Sequence, residues 1–277
     1  MTDASLFDAY YFQHGCGQPY HRTPAWLSAF AGLADRIVRD LQPRTALDAG
    51  CAMGFLVEAL RDRGVQAYGV DVSEYALQQV RDDIRPYCWA GSIAKPLPQR
   101  YDLITCIEVL EHMSQAEGER AIANLCQATD DILFSSTPFD YREATHFNVQ
   151  PPEYWAYHFA LQGFVRDVDF DASFITPWAV RLRRTIEPWP RLAQAYERRF
   201  WLLWKENTDL RSLVGEMRAQ LAAHEHAVHS VNAGLATGAQ AMQTLPAAQE
   251  QIVAGPIWRI MQWMRSRLFP ARGRREQ

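Results

Sequence analysis

Apolar residues recur at helical spacing from Pro24 onward, and Thr23 precedes them as a cap with Pro24 at the first helical position, which predicts a helix over "TPAWLSAFAGLADRIVRDLQ". The short apolar run "RTALDAG" then predicts a buried strand, and "FLVEALRDRG" a helix closed by Gly64. The alternation continues with strand "VQAYGVDVS", helix "EYALQQVRDDI", and strands "YCWAGS" and "YDLITCIEVL". A helix over 116–128, strand "DDILFSSTP", helix "PPEYWAYHFALQGF" and closing strands "VRDVDFDASF" and "WAVRLRRT" complete it. Strands alternating with helices imply an α/β fold: a doubly wound, Rossmann-like, seven-stranded, mostly parallel sheet with helices on both faces. Residues 1–23 are aromatic and irregular.

The pattern changes after Glu187. Tyr196, Phe200, Leu203, Asn207, Leu210, Val214, Met217 and Leu221 step by four and three, and His224, Val228, Val231 and Leu235 continue the rhythm. That is a heptad, and it predicts a coiled-coil extension with a homo-oligomer through 196–221, Asn207 fixing register. The competing reading is one amphipathic helix lying on the domain. "NAGLATGAQAMQTLPAAQ" reads as a low-complexity linker. The tail over 255–277 sets Ile257, Trp258, Ile260, Met261, Met264 and Leu268 beside arginines, as a helix on an anionic membrane or a protein partner would. The chain thus reads as three segments: a domain over 1–186, a helical extension over 187–235, and a linker with a basic amphipathic tail over 236–277.

Composition narrows the function. With 277 residues, 48% of them hydrophobic, a full α/β core is affordable. A net charge of −4 makes nucleic acid an unsuitable partner. Cys16, Cys51, Cys88, Cys106 and Cys126 form no CxxC pair, so reduced thiols and a cytoplasmic location are expected. No secretory leader or membrane-spanning run is legible.

The first strand runs into "ALDAGCAMGF", a loop at the carboxyl edge of a parallel sheet, where ligands bind. It lacks the Gly-Lys-Ser/Thr of a nucleoside-triphosphate loop, and its spacing does not suit a dinucleotide loop. Asp48 before the glycines disfavours a pyrophosphate and suits a cofactor bearing an ammonium and a sulfonium. Asp71, ending the second strand, can accept from ribose hydroxyls. Residues 44–184 resemble the class I S-adenosylmethionine-dependent methyltransferases: Asp48, Gly50 and Gly54 match the first motif, with Ala52 in place of its middle glycine. The resemblance implies S-adenosylmethionine bound by Asp48, Gly50, Cys51, Ala52, Gly54, Asp71, Val72, Ser92 and Ile93. Ser92 stands where the family usually has an aspartate.

"EVLEHM" sets Glu108, Glu111 and His112 at i, i+3 and i+4, one face of a helical turn, and His146 comes after the fifth strand. Two carboxylates and two imidazoles make a candidate site for one divalent metal, Mn, Zn, Fe or Co, held by Glu108, Glu111, His112 and His146. This resembles the metal-dependent small-RNA 2′-O-methyltransferases, and "EVLEH" also resembles the ubiquinone-pathway O-methyltransferases. The alternative makes Glu108 and Glu111 structural and His112 or His146 a simple general base, and a further one makes His146 only a loop-anchoring residue. Histidine ligands must be neutral to bind a metal, so activity is expected to fall below about pH 6.5. "YYFQHGCGQPYHR" is either a lid over the cofactor or an ordered arm. Tyr154, Trp155 and Tyr157 are either acceptor contacts or, more commonly, core. His224, His226 and His229 do not share one helical face, so they read as solvated.

Over most of its length, including "THFNVQPPEYWAYHFALQGFVRDVDFDASFITPWAVRLRR", the chain also resembles a bacterial methyltransferase group associated with surface-polysaccharide glycosyltransferases. That likeness implies methylation of a sugar hydroxyl in polysaccharide biosynthesis, with a glycan acceptor and a glycosyltransferase or peripheral contact at the inner face of the membrane through 255–277. A small aromatic or quinone-like acceptor is the alternative, and a non-catalytic scaffold the second.

Overall fold

The computed structural model describes residues 4–254, with side chains through residue 237. The expectations for the tail over 255–277 lie outside the described residues. Seven strands form one sheet in the order β3-β2-β1-β4-β5-β7-β6. They are β1 (Thr45–Ala49), β2 (Gln66–Asp71), β3 (Cys88–Ala90), β4 (Leu103–Ile107), β5 (Asp131–Ser135), β6 (Phe164–Arg166) and β7 (Val180–Arg184). Only β7 runs against its neighbours. The predicted doubly wound sheet is therefore the observed one.

β1 sits at the centre because four of its five residues are buried, as a strand covered on both faces requires. Its register puts Asp48 opposite Gly69 on β2 and Thr105 on β4. One face of the sheet is covered by α2 (Pro24–Leu41) and α3 (Phe55–Arg61), through Ile37, Leu56, Val57 and Leu60. The other face packs against α5 (Gln115–Ala128) and α6 (Pro152–Leu161), through Ile122, Leu125, Trp155 and Phe159. Thr23 caps α2 as predicted, accepting from the Trp26 N–H at 3.3 Å.

Several expectations change. Residues 1–23 are not wholly irregular: α1 (Ala9–His14) forms, with Asp8 accepting from the Tyr11 N–H, and Phe7 and Phe12 are buried with Met53, Phe55 and Ala76. α4 stops early, at Glu74–Gln78. Beyond it Arg81 pairs with Glu58, Asp62 and Asp83, and Pro86 biases residue 85 against continuing a helix. The first closing strand is three residues long, and the segment after it packs Phe170, Phe174 and Ile175 against the core instead. The segment read as a low-complexity linker is helical, because α7 (Trp189–Ala254) continues through it; alanine-rich sequence propagates a helix despite Gly234.

The chain divides into two units, 1–200 and 201–277. Among the described residues of the second, the side chains of α7 are exposed, His224, His226 and His229 included. No described helix is long and apolar enough to cross a membrane.

Candidate functional site

Every predicted loop acid lies at the carboxyl edge of the sheet, because β1, β2, β4 and β5 run parallel. The glycine loop leaves β1 by a sharp turn in which the N–H groups of Gly50 and Cys51 both donate to Val70 O, at 2.8 and 3.1 Å. Gly50 has φ +89°, and a Cβ there would lie 2.3 Å from Val109 Cγ2, so no side chain fits. Gly54 precedes α3 at φ +71°. Ala52 also takes positive φ, at 46°. Its N–H donates to Asp71 Oδ2 at 2.8 Å, while the Ser73 N–H donates to Oδ1 at 2.8 Å. Asp71 thus clamps the loop across two strands. Its carboxyl is raised by burial, opposed by these backbone hydrogen bonds.

A pocket of about 130 Å³ opens here, lined by Gly50, Ala52, Asp71, Val72, Ser92 and Ile93, with Val70 and Met113. The N-terminal arm closes it through Phe7, Tyr11 and Phe12. Ser73 Oγ fixes that arm by donating to Phe7 O at 2.6 Å. "YYFQHG" therefore lies over the glycine loop.

A larger cavity of about 770 Å³ shares the Tyr11, Phe12, Gly50, Ala52, Glu108 and His112 walls. Asp48, Cys51 and His146 line it, as do the aromatic rings of Tyr20, Trp26, Phe30, Phe139 and Trp178. Asp48 accepts from Thr105 Oγ1 at 2.6 Å. Burial pushes its carboxyl up to about 7, the Thr105 hydrogen bond working against that shift and the nearby Asp71 with it. Cys51 faces Gly69, where a Cβ would meet its Sγ at 2.6 Å, so the thiol fills a gap between loop and strand.

"EVLEHM" does not form the expected single helical face. A short 3₁₀ turn spans Leu110–His112, and Glu108 precedes it at φ +53°, in a region that non-glycine residues rarely adopt. Glu108 Oε1 accepts from Trp178 Nε1 at 2.9 Å. Ligand atoms of Glu111, His112 and His146 all lie within 4.8 Å of one another, and Glu108 is not in that group. Glu111 is fully buried, with Oε2 unpartnered. Burial, then the charge of Glu108, pushes its carboxyl up to about 8.

The two histidines differ in protonation. His112 Nδ1 lies 3.3 Å from Thr145 O, which can only accept, so that nitrogen carries hydrogen. The same nitrogen is 3.0 Å from Thr145 Oγ1, which itself donates to Glu143 Oε1. Nε2 is left as the acceptor. Burial lowers the His112 pKa to about 4, more than Glu143 can offset. His146 Nδ1 donates to Asp140 O at 2.7 Å, and Nε2 pairs with Glu143 Oε2 at 3.1 Å. Both nitrogens are therefore donors. Burial opposes the charge, yet Glu143 and the Asp140 carbonyl prevail and raise the pKa to about 9. The rings touch edge to face, centroids 4.6 Å apart.

Sequence reasoning missed Glu143, Thr145, Thr105 and Trp178. Glu143 and His146 stand three residues apart, a spacing visible in "EATH", but nothing in the sequence marked Trp178. Of the acceptor candidates, Trp155 is core, Tyr157 is exposed, and neither these nor Tyr154 lines the larger cavity.

A methyltransferase-domain family matches residues 20–195. Curated relatives include a ubiquinone biosynthesis O-methyltransferase of Stutzerimonas stutzeri, 33% identical over 106 residues, which are 35% of this chain and 45% of that one. Another with that name, from Nitrosomonas europaea, is 30% identical over 112 residues, 37% of this chain and 47% of the relative. The chain thus spans less than half the length of these relatives. Among solved structures, magnesium protoporphyrin IX methyltransferase from Synechocystis PCC 6803 superposes with a TM-score of 0.50 at 16% identity, covering 66% of this chain and all of that one, a likeness of fold. With the family matched over the sheet that carries the glycine loop and its acids, the chain belongs to the methyltransferase-domain family.

Proposed function

We propose that the chain methylates a hydroxyl oxygen on a small molecule with a planar, aromatic body. The observation that carries this is the ring-lined cavity beside His112: Tyr11, Tyr20, Trp26, Phe30, Phe139 and Trp178 offer flat apolar faces to such a body. The partial relatives named for O-methyl transfer in ubiquinone biosynthesis support the same acceptor class. Asp71, Ile93 and the N-terminal arm, which line the smaller pocket, would hold the adenosine of S-adenosylmethionine, with Asp71 accepting from the ribose, and Asp48 in the larger cavity would face its amino-acid end.

In the transfer, an oxygen lone pair forms the new bond to the methyl carbon. The carbon–sulfur bond breaks and its electrons stay on sulfur. The hydroxyl proton goes to His112 Nε2, the free acceptor of a ring oriented by Thr145 and Glu143. His146, already a double donor, holds Glu143 in place rather than taking a proton.

The donor set also fits a divalent cation in part. Glu111 has an unpartnered buried oxygen and His112 a free nitrogen, so these two would hold it, whereas the His146 nitrogens are engaged. Such an ion would supply Lewis acidity to the acceptor oxygen. A sugar acceptor remains the second reading, since aromatic faces also receive sugar rings and the larger cavity carries Asp48, Glu108, Asp140 and Glu143.

Methyl transfer from labelled cofactor to a panel of phenols, catechols, quinols, free sugars and nucleotide sugars tests the acceptor class. Phenolic acceptors are expected to be methylated; turnover confined to sugars overturns the aromatic reading.

Asp71→Ala is expected to weaken cofactor binding by about 1–3 kcal/mol, because it leaves buried donors unpaired. Calorimetry with S-adenosylmethionine measures it, and unchanged affinity removes the ribose assignment.

Cofactor affinity should depend on pH through Asp48. Its carboxyl, held up at about 7 when the site is empty, must lose its proton to face an ammonium. The bound-state pKa is lower, so affinity is full above 7 and falls by about tenfold per pH unit below it. Titrations between pH 5.5 and 8 read this directly, and Asp48→Asn should bind weakly with a flat profile. A flat profile in the unaltered protein contradicts the assignment.

At saturating cofactor, kcat distinguishes the histidines. If His112 is the base, kcat stays level from neutral pH down to about 5 and drops only toward 4, well below the break expected of an ordinary imidazole. A profile that instead climbs toward 9 makes His146 the base. His112→Ala is expected to cost roughly 10²–10⁴-fold in kcat. Exhaustive chelation should leave turnover intact; loss restored by Mn or Zn assigns Glu111 and His112 to a metal instead.

A further inference from the structure

Beyond the reaction, the long helix α7 carries an apolar surface that no described residue of the chain covers. Leu203, Leu210, Val214, Met217, Leu221, Val228, Val231 and Leu235 each leave 45–66% of their surface exposed. A strip of that length on a solvated helix marks an interaction surface. The residues are not scattered. With Phe200 and Asn207 at a, the a positions continue through Val214, Leu221, Val228 and Leu235. The d positions are Leu203, Leu210, Met217, His224 and Val231. Leu213 at g and Trp204 at e flank the strip, Trp201 and Leu202 lie off it at the start of the helix, and Lys205 and Asp209 pair at 2.7 Å on the outer side. Gly215 falls at b, outside the seam.

We infer that residues 203–235 form a parallel, two-stranded coiled coil with a second copy of this chain, in register at Asn207. Three observations select this occupant. The strict four–three rhythm needs a partner with the same repeat, and a second copy supplies it. Over the first two heptads of the strip, Val214 at a with Leu203 and Leu210 at d favours two strands, while Leu221 and Leu235 at a and Val231 at d keep the rest of the seam apolar. Parallel pairing brings Asn207 against Asn207 of the second copy, where two amides satisfy each other within an otherwise apolar seam. A slip by one heptad would bury each opposite an aliphatic side chain.

Charge then selects direction. Glu206 at g faces Arg211 at e of the second copy when the helices run parallel. An antiparallel pair centred near Val214 sets Arg211 against Arg218 instead, like charge on like charge.

The test uses the full chain. Light scattering at micromolar concentration should give twice the 31.7 kDa protomer mass, and Leu210→Asp should return it to 31.7 kDa, with the melting of the methyltransferase unit retained as evidence of folding. Leu221→Cys reads direction. In the parallel register the two introduced thiols adjoin, so mild oxidation should yield a cross-linked dimer on a reducing-agent-sensitive gel, absent from the unaltered protein. An antiparallel pair separates them by several turns. A monomeric full chain, a dimer unaffected by Leu210→Asp, or a dimer that Leu221→Cys fails to cross-link overturns the proposal.

Discussion

Four carboxylates, Asp48, Asp71, Glu108 and Glu111, converge on one edge of a sheet, and Asp48 and Glu111 are almost wholly removed from water. Burying charge is costly unless each group is satisfied. Asp71 meets this by accepting two backbone N–H groups, which also fixes the glycine loop. Glu108, at positive φ, meets it by accepting from Trp178 Nε1. Asp48 and Glu111 are left incompletely answered, one with a single hydroxyl donor, the other with an unpartnered oxygen, and both respond by holding protons near neutrality. A cationic cofactor is the natural complement of such an edge.

The N-terminal arm depends on the same edge. Ser73, positioned by Asp71, anchors the arm through Phe7 O, so the carboxylate that clamps the loop also seats the aromatic cover above it. Phe7 and Tyr11 then press edge-on against His112, centroids 5.6 and 6.1 Å away. That apolar packing is part of the burial that keeps His112 uncharged, while His146, beside Glu143, stays charged. Two adjacent imidazoles that share Glu143 thus titrate far apart, at about 4 and about 9, because burial dominates at His112 while His146 pairs directly with Glu143 and donates to the Asp140 carbonyl.

The sheet was legible because its strands are apolar runs and its helices are periodic, and the loop was legible because Gly50, Gly54, Asp48 and Asp71 are local signals at strand ends. What the sequence hid was non-local or strained. Nothing in "EVLEHM" says that Glu108 adopts positive φ or that its carboxylate accepts from Trp178, seventy residues away. The spacing i, i+3, i+4 implied a helical face, and a 3₁₀ turn starting after Glu108 removed it. Protonation was equally hidden: His112 and His146 are the same residue type, distinguished by a threonine and a carbonyl that only the fold brings near.

The acids of the cleft bear on net charge as well as on geometry. Asp48 and Glu111, held up at about 7 and 8, change protonation within the range of ordinary buffers, so the charge of this sheet edge is set by pH and by any cation placed against it. Binding of a positively charged ligand at this edge is thereby coupled to release of protons, and the heat of that binding would vary with the ionisation enthalpy of the buffer that takes them up.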